Sequence, residues 1–82
     1  MTEKDMELKL TPWRDLANAI VEQAAKDYMA ALRKLRKYPE NYRAKAQINE
    51  LERFFRSDWY GELTDVDGER LMKLLKKEEY GT

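Results

Sequence analysis

Four residues in the second half of this 82-residue chain have the chemistry to hold an anionic aromatic ligand. Arg53 and Arg56 could donate paired hydrogen bonds to a phosphate, and Trp59 and Tyr60 could stack on a base. They lie in or beside Phe54-Phe55-Arg56-Ser57-Asp58-Trp59-Tyr60, where four aromatics, two opposite charges and a hydroxyl fall within seven residues. Neighbours on a helix point about 100° apart, so one narrow apolar stripe cannot take both Phe54 and Phe55. Phe55 and Trp59 share one line, Arg56 and Tyr60 another. The segment therefore reads in two ways, as close core packing or as the wall of an interface or anion pocket.

Other chemistries fit the chain less well. Asp65-Val66-Asp67-Gly68-Glu69 has the alternating carboxylates of a calcium loop. With Gly68 in the sixth position, however, Leu63 would be the first ligand and Leu74 the twelfth, where a bidentate Glu belongs. Helix capping accounts for the run better, and no metal or cofactor site is expected. The chain has no His and no Cys, so Ser57 would need a Lys or carboxylate as its base, and no motif supplies one. Three scattered glycines make no phosphate loop. Catalysis is not expected. A second anion candidate is the basic patch Arg33, Lys34, Arg36 and Lys37, beside Tyr38. The same pattern describes a solvated helix end, which is the preferred reading.

These residues need elements to place them. Thr11-Pro12 reads as a helix start, a capping hydroxyl followed by a proline at the first helical position. From there Trp13, Ala17, Ile20, Ala24, Tyr28, Ala31 and Leu35 recur at spacings of four and three, predicting a helix to about Lys37, and Leu16, Val21 and Leu32 widen the stripe. Pro39 ends it. Asn41 caps a second helix with Ala44, Ile48, Leu51 and Phe55 on its apolar face. Ser57 caps a short helical turn, and Thr64 with Asp67 resembles a capping box before a last helix carrying Leu71, Leu74 and Leu75. Residues 1–10 are expected to form a flexible charged arm. Residues 11–82 are expected to form one all-α domain, a small antiparallel three-helix fold made of a helical hairpin plus a C-terminal helix.

Composition bounds the rest. Sixteen basic and sixteen acidic residues cancel, so no global field draws the chain to nucleic acid or to an anionic membrane. The charges are nonetheless segregated, with cations gathered over Arg33 to Lys45 and carboxylates over Asp58 to Glu69. A chain of this length buries only about 60–65% of its unfolded surface, which makes self-association an economical source of stability. Without Cys, a signal-like apolar stretch or a run of about 20 apolar residues, a cytoplasmic protein is expected.

Phe54-Phe55-Arg56-Ser57-Asp58-Trp59, followed by Leu63-Thr64-Asp65-Val66-Asp67-Gly68-Glu69 with Leu71 and Leu74 beyond, resembles small uncharacterised helical proteins of phages and prophages of Gram-positive bacteria. Ala25, Asp27-Tyr28 and Ala31-Leu32 are similar too. The resemblance covers roughly Trp13 to Leu75 and implies a setting, not a set of catalytic residues. In that setting the chain is expected to be a non-catalytic binding protein. One form of it is a homo-oligomer that sequesters a host nucleotide second messenger, as a class of short helical counter-defence proteins does, with Arg53 and Arg56 on phosphate and Trp59 or Tyr60 on the base. The alternatives are a protein-binding inhibitor or regulator of a host enzyme and a nucleic-acid-binding accessory or transcription factor.

Overall fold

The computed structural model describes residues 3–81, with side chains from Trp13 to Gly81. Among these the chain is all-helical, with α1 (Glu3–Lys37), α2 (Tyr42–Phe55), α3 (Asp58–Leu63) and α4 (Gly68–Tyr80) and no strand. At about 1.5 Å per residue α1 is ~52 Å long, and it sets the long axis of a molecule measuring 56 × 24 × 20 Å. The other three helices pack against it, and α2 also meets α3 and α4.

Two expectations need correction. The first helix begins by Glu3, so Thr11-Pro12 lies inside α1 rather than opening it. Glu, Lys, Met and Leu before Pro12 are strong helix formers, and a proline costs the helix one internal bond and some crowding without forbidding it. The arm expected over residues 1–10 falls partly on residues 1 and 2, outside the described residues, and otherwise on backbone alone. The second correction concerns number: there are four helices, because the turn begun at Ser57 continues through Gly61 to Leu63 as a helix of its own. Thr64 closes that helix and its hydroxyl accepts the Val66 amide at 3.2 Å, so it does not cap α4. Asp67 caps α4, its carboxylate accepting the Glu69 amide at 3.0 Å.

The remaining stops follow the local chemistry. α1 ends at Lys37, one residue before Tyr38-Pro39. Asn41 Oδ1 accepts the Ala44 amide at 3.0 Å and starts α2. Ser57 Oγ accepts the Tyr60 amide at 3.1 Å and donates to the Phe54 carbonyl at 2.6 Å, joining the end of α2 to the start of α3. Gly81 ends α4 with φ of 73°, the left-handed conformation that suits glycine at a helix C-terminus.

Ala17, Ala24 and Ala31 recur every seven residues along α1 and are buried, as are Tyr28 and Leu32. These small side chains let neighbouring elements approach, and the space beside them is filled by aromatics. Tyr28 and Phe55 meet edge to face at 5.5 Å, Phe55 and Tyr60 at 5.6 Å, and Phe54 and Tyr60 at 5.7 Å. The apolar stripes are covered less completely than their spacing predicts. Trp13, Leu16 and Leu74 are exposed, while Met72, which the spacing did not single out, is buried.

One backbone contact is tighter than any of these. A Cβ built at Gly68 would stand 1.9 Å from the Phe55 carbonyl oxygen and 2.9 Å from its carbon. Because the obstacle is main chain, Gly68→Ala is expected to push α4 away from α2 and lower the unfolding free energy by about 1–3 kcal/mol in urea titration. Gly61, inside α3, has nothing within 4 Å of such a Cβ. Gly61→Ala should therefore raise stability by about 0.5–1 kcal/mol. Equal effects at both positions would refute the steric account.

Candidate functional site

The four expected ligand residues do not share one open pocket. Tyr60, only 3% exposed, is a core residue with Phe54 and Phe55 packed edgewise on its ring. This corrects its expected role as a stacking face: α3 turns Tyr60 inward and its neighbour Trp59 outward. Trp59 is 49% exposed and meets Trp13 of α1, itself 48% exposed, edge to face at 6.4 Å.

Arg53 and Arg56 do come together, in a shallow depression of about 520 Å³ lined by Asn49, Glu52, Arg53, Arg56 and Ser57. Arg53 is exposed and makes no ion pair among the described residues. Arg56 is engaged: its Nε donates to Glu69 of α4, and its Nη1 lies 3.6 Å from Glu52 one turn earlier. The Glu69 hydrogen bond strengthens the hold of the Arg56 guanidinium on its proton and keeps the Glu69 carboxyl below its usual range. A phosphate entering here would meet the Glu52 carboxylate as well as the two guanidiniums.

The basic patch divides in the same way. Glu79, whose side chain is only 5% exposed, draws in two of its four cations. Arg33 donates to it through Nε and Nη2 at 3.0 and 3.1 Å, a bidentate pairing that raises the Arg33 pKa. Arg36 reaches Glu79 Oε1 at 3.4 Å and also donates to the Glu79 main-chain carbonyl. Lys34 and Lys37 stay exposed, Lys37 with its ammonium 5.9 Å from the Tyr38 ring centroid. Half of the patch thus fastens the last turn of α4 to α1.

Sequence reading missed the carboxylates at the centre of these contacts. Glu52 accepts the buried Tyr28 hydroxyl at 2.7 Å and lies 3.5 Å from Lys76, so it touches α1 and α4 from α2. Its spacing of four from Arg56 was a readable signal. Glu79 carried none, being one acid among sixteen, and only the fold brings it to Arg33 and Arg36.

A further depression is mainly apolar. Ile20, Ala24, Leu51 and Phe54, with Gln23 and Asp27, line a groove of about 360 Å³ between α1 and α2. Leu16, more than half exposed, lies one helical turn before Ile20. With Trp13 and Trp59 these side chains give the α1/α2 side a strip of exposed and half-buried hydrophobics.

No family model, curated protein or solved structure matches the chain. Among the described residues no helix is long and apolar enough to cross a membrane.

The two buried tyrosines give separate tests. The Tyr60 hydroxyl has no hydrogen-bond partner among the described residues, and burial together with Asp67 raises its pKa. Tyr60→Phe removes an unsatisfied group and should leave stability unchanged or raise it by about 1–3 kcal/mol in urea titration. A clear loss would reveal a partner for the hydroxyl. At Tyr28, burial and then the Glu52 hydrogen bond raise the pKa well above its ordinary 10. The unfolded chain therefore gives up this proton first, so the contribution of Tyr28 is complete below pH 10 and shrinks as pH climbs from there toward the higher folded value. Tyr28→Phe is expected to flatten the alkaline limb of the urea midpoint against pH. An unchanged limb would assign that loss to other groups.

Proposed function

We propose that this chain is a non-catalytic protein-binding module that works through the apolar α1/α2 face. The observation that carries this is the pair Trp13 and Trp59, held against each other yet each half exposed at one end of that face. Exposed aromatics beside a hydrophobic groove are the usual anchors of protein interfaces, because they bury much area while losing little side-chain freedom. Binding is favoured over catalysis because the one aliphatic hydroxyl in the aromatic segment, that of Ser57, is occupied by the Phe54 carbonyl and the Tyr60 amide, and the Tyr60 hydroxyl is buried. The phage or prophage setting, with a host enzyme as target and the bacterial cytoplasm as the place, rests on the resemblance of the Phe54–Glu69 segment.

Nucleotide capture is the second reading, and Arg53 beside Asn49 favours it. These two polar side chains face an open depression in which Arg53 has no acidic partner among the described residues. Glu52 within the depression, the engagement of Arg56 and the burial of Tyr60 weigh against it. Direct nucleic-acid binding has less support, since Arg33 and Arg36 are spent on Glu79.

Photo-cross-linking in expressing cells, with a cross-linker placed at Gln23, an exposed residue lining the groove, separates these readings. The wild-type chain should give discrete protein adducts that Leu16→Glu and Trp59→Ala abolish while helix content is retained. Adducts indifferent to both substitutions would end the protein-binding reading. A native mass spectrum that gains cyclic or ADP-ribose-derived nucleotides, and loses them with Arg53→Ala, would replace it with nucleotide capture.

A further inference from the structure

Resting on the protein-binding reading above, we propose that the partner on the α1/α2 face is a second copy of this chain, docked across a two-fold axis with its α1 running the opposite way.

The charge pattern along the face supports this occupant. Starting from Ile20 in the groove, steps of seven along α1 reach Asp27 and then Lys34, so Lys34 continues the same side of the helix. On α2, Phe54, Gln47 and Arg43 follow the same rule at spacings of seven and four. Lys34 and Arg43 are exposed and make no ion pair among the described residues. They mark a basic end of the face. At the other end stands the Trp13–Trp59 pair, with Asp58 beside Trp59 and Glu62 one turn further along α3, both carboxylates exposed and unpaired among the described residues. The face thus runs from cationic, through a groove that is apolar apart from Gln23 and Asp27, to aromatic and anionic.

Such a surface is complementary to itself only when inverted. A parallel pairing sets Lys34 against Lys34 and Glu62 against Glu62. A two-fold, antiparallel pairing sets each basic end on the partner's aromatic and acidic end, where an ammonium gains both a carboxylate and an indole face, while the two grooves cover each other. The extent is adequate as well. From Trp13 to Lys34 the face is about 32 Å long. Two helices about 10 Å apart make it nearly 20 Å wide, so roughly 600 Å² per chain is covered. Counted over both chains this passes the ~1,000 Å² that a specific interface needs.

The experiment is sedimentation velocity on the full chain from micromolar to submillimolar concentration, with Lys34→Glu, Glu62→Lys and Leu16→Glu alongside the wild type and circular dichroism to confirm that each is folded. The wild type should sediment as a dimer that weakens with salt. Each substitution, all at exposed positions, should weaken it at least tenfold. An equimolar mixture of Lys34→Glu and Glu62→Lys should regain the dimer, because inversion places each substituted position opposite a charge of the other sign at both contacts.

A wild-type chain that is monomeric throughout overturns the second-copy assignment and leaves the face to a different protein, which the cross-linking experiment detects. A dimer indifferent to all three substitutions overturns the choice of face. A mixture that stays monomeric overturns the inverted arrangement, and a trimer or larger ring overturns the two-fold.

Discussion

The main chains of α2 and α4 touch at Phe55 and Gly68 with no room for a side chain between them, and much of the structure follows from that contact. Bringing the start of α4 to the end of α2 forces the intervening chain into a short detour, which α3 and the Thr64–Asp67 turn provide. The same approach sets Glu69, in the first turn of α4, beside Arg56 at the end of α2. It also leaves the Phe55 side chain at the meeting point of α1 and α3, between Tyr28 and Tyr60. A protein interior is close to crystal density, so a ring gripped from two sides tolerates little displacement of its backbone. The lack of a side chain at position 68 is therefore a requirement of packing; its backbone φ is not in the left-handed region.

Around this contact the charged residues, balanced in total, act locally as fasteners. Glu52 gathers the Tyr28 hydroxyl, Arg56 and Lys76, joining three helices at one carboxylate. Glu79 does the same for α1 and α4 with two arginines. Arginine suits the second task because its planar fork can bind both oxygens of a carboxylate at once, whereas lysine is a single point charge. That difference divides the basic patch: Arg33 and Arg36 turn to Glu79, and Lys34 and Lys37 remain in solvent.

Features controlled by neighbouring residues were legible in the sequence. Asn41 and Ser57 cap helices as their side chains allow, Pro39 ends α1, and the seven-residue recurrence of Ala17, Ala24 and Ala31 marks the buried stripe. What periodicity could not resolve was the end of a stripe. Trp13 and Leu16 keep the spacing of the core, yet both stay about half exposed, Trp13 with the Trp59 ring against it. Nor did local spacing find the cap of α4: the capping-box pattern pointed to Thr64, whereas Asp67 caps the helix, because α4 must start where Gly68 meets Phe55. The candidate site was legible in its parts and not in its grouping. Arg53, Arg56, Trp59 and Tyr60 are adjacent in sequence, but the break at Ser57 sends Tyr60 into the core and Trp59 to the surface.

That break also explains why aromatic residues are so dense here. One ring, Tyr60, is needed inward to complete the core around Phe55, and the residue before it must then point away. A small polar residue at position 59 would satisfy the fold. A tryptophan there, backed by another on α1, instead places apolar area on two helices whose geometry is fixed by the core beneath them. Rigid helices lose less freedom on association than loops do, so more of the gain from burying those rings is retained as affinity. The surface most consistent with a binding role is accordingly the one whose aromatics the core does not use.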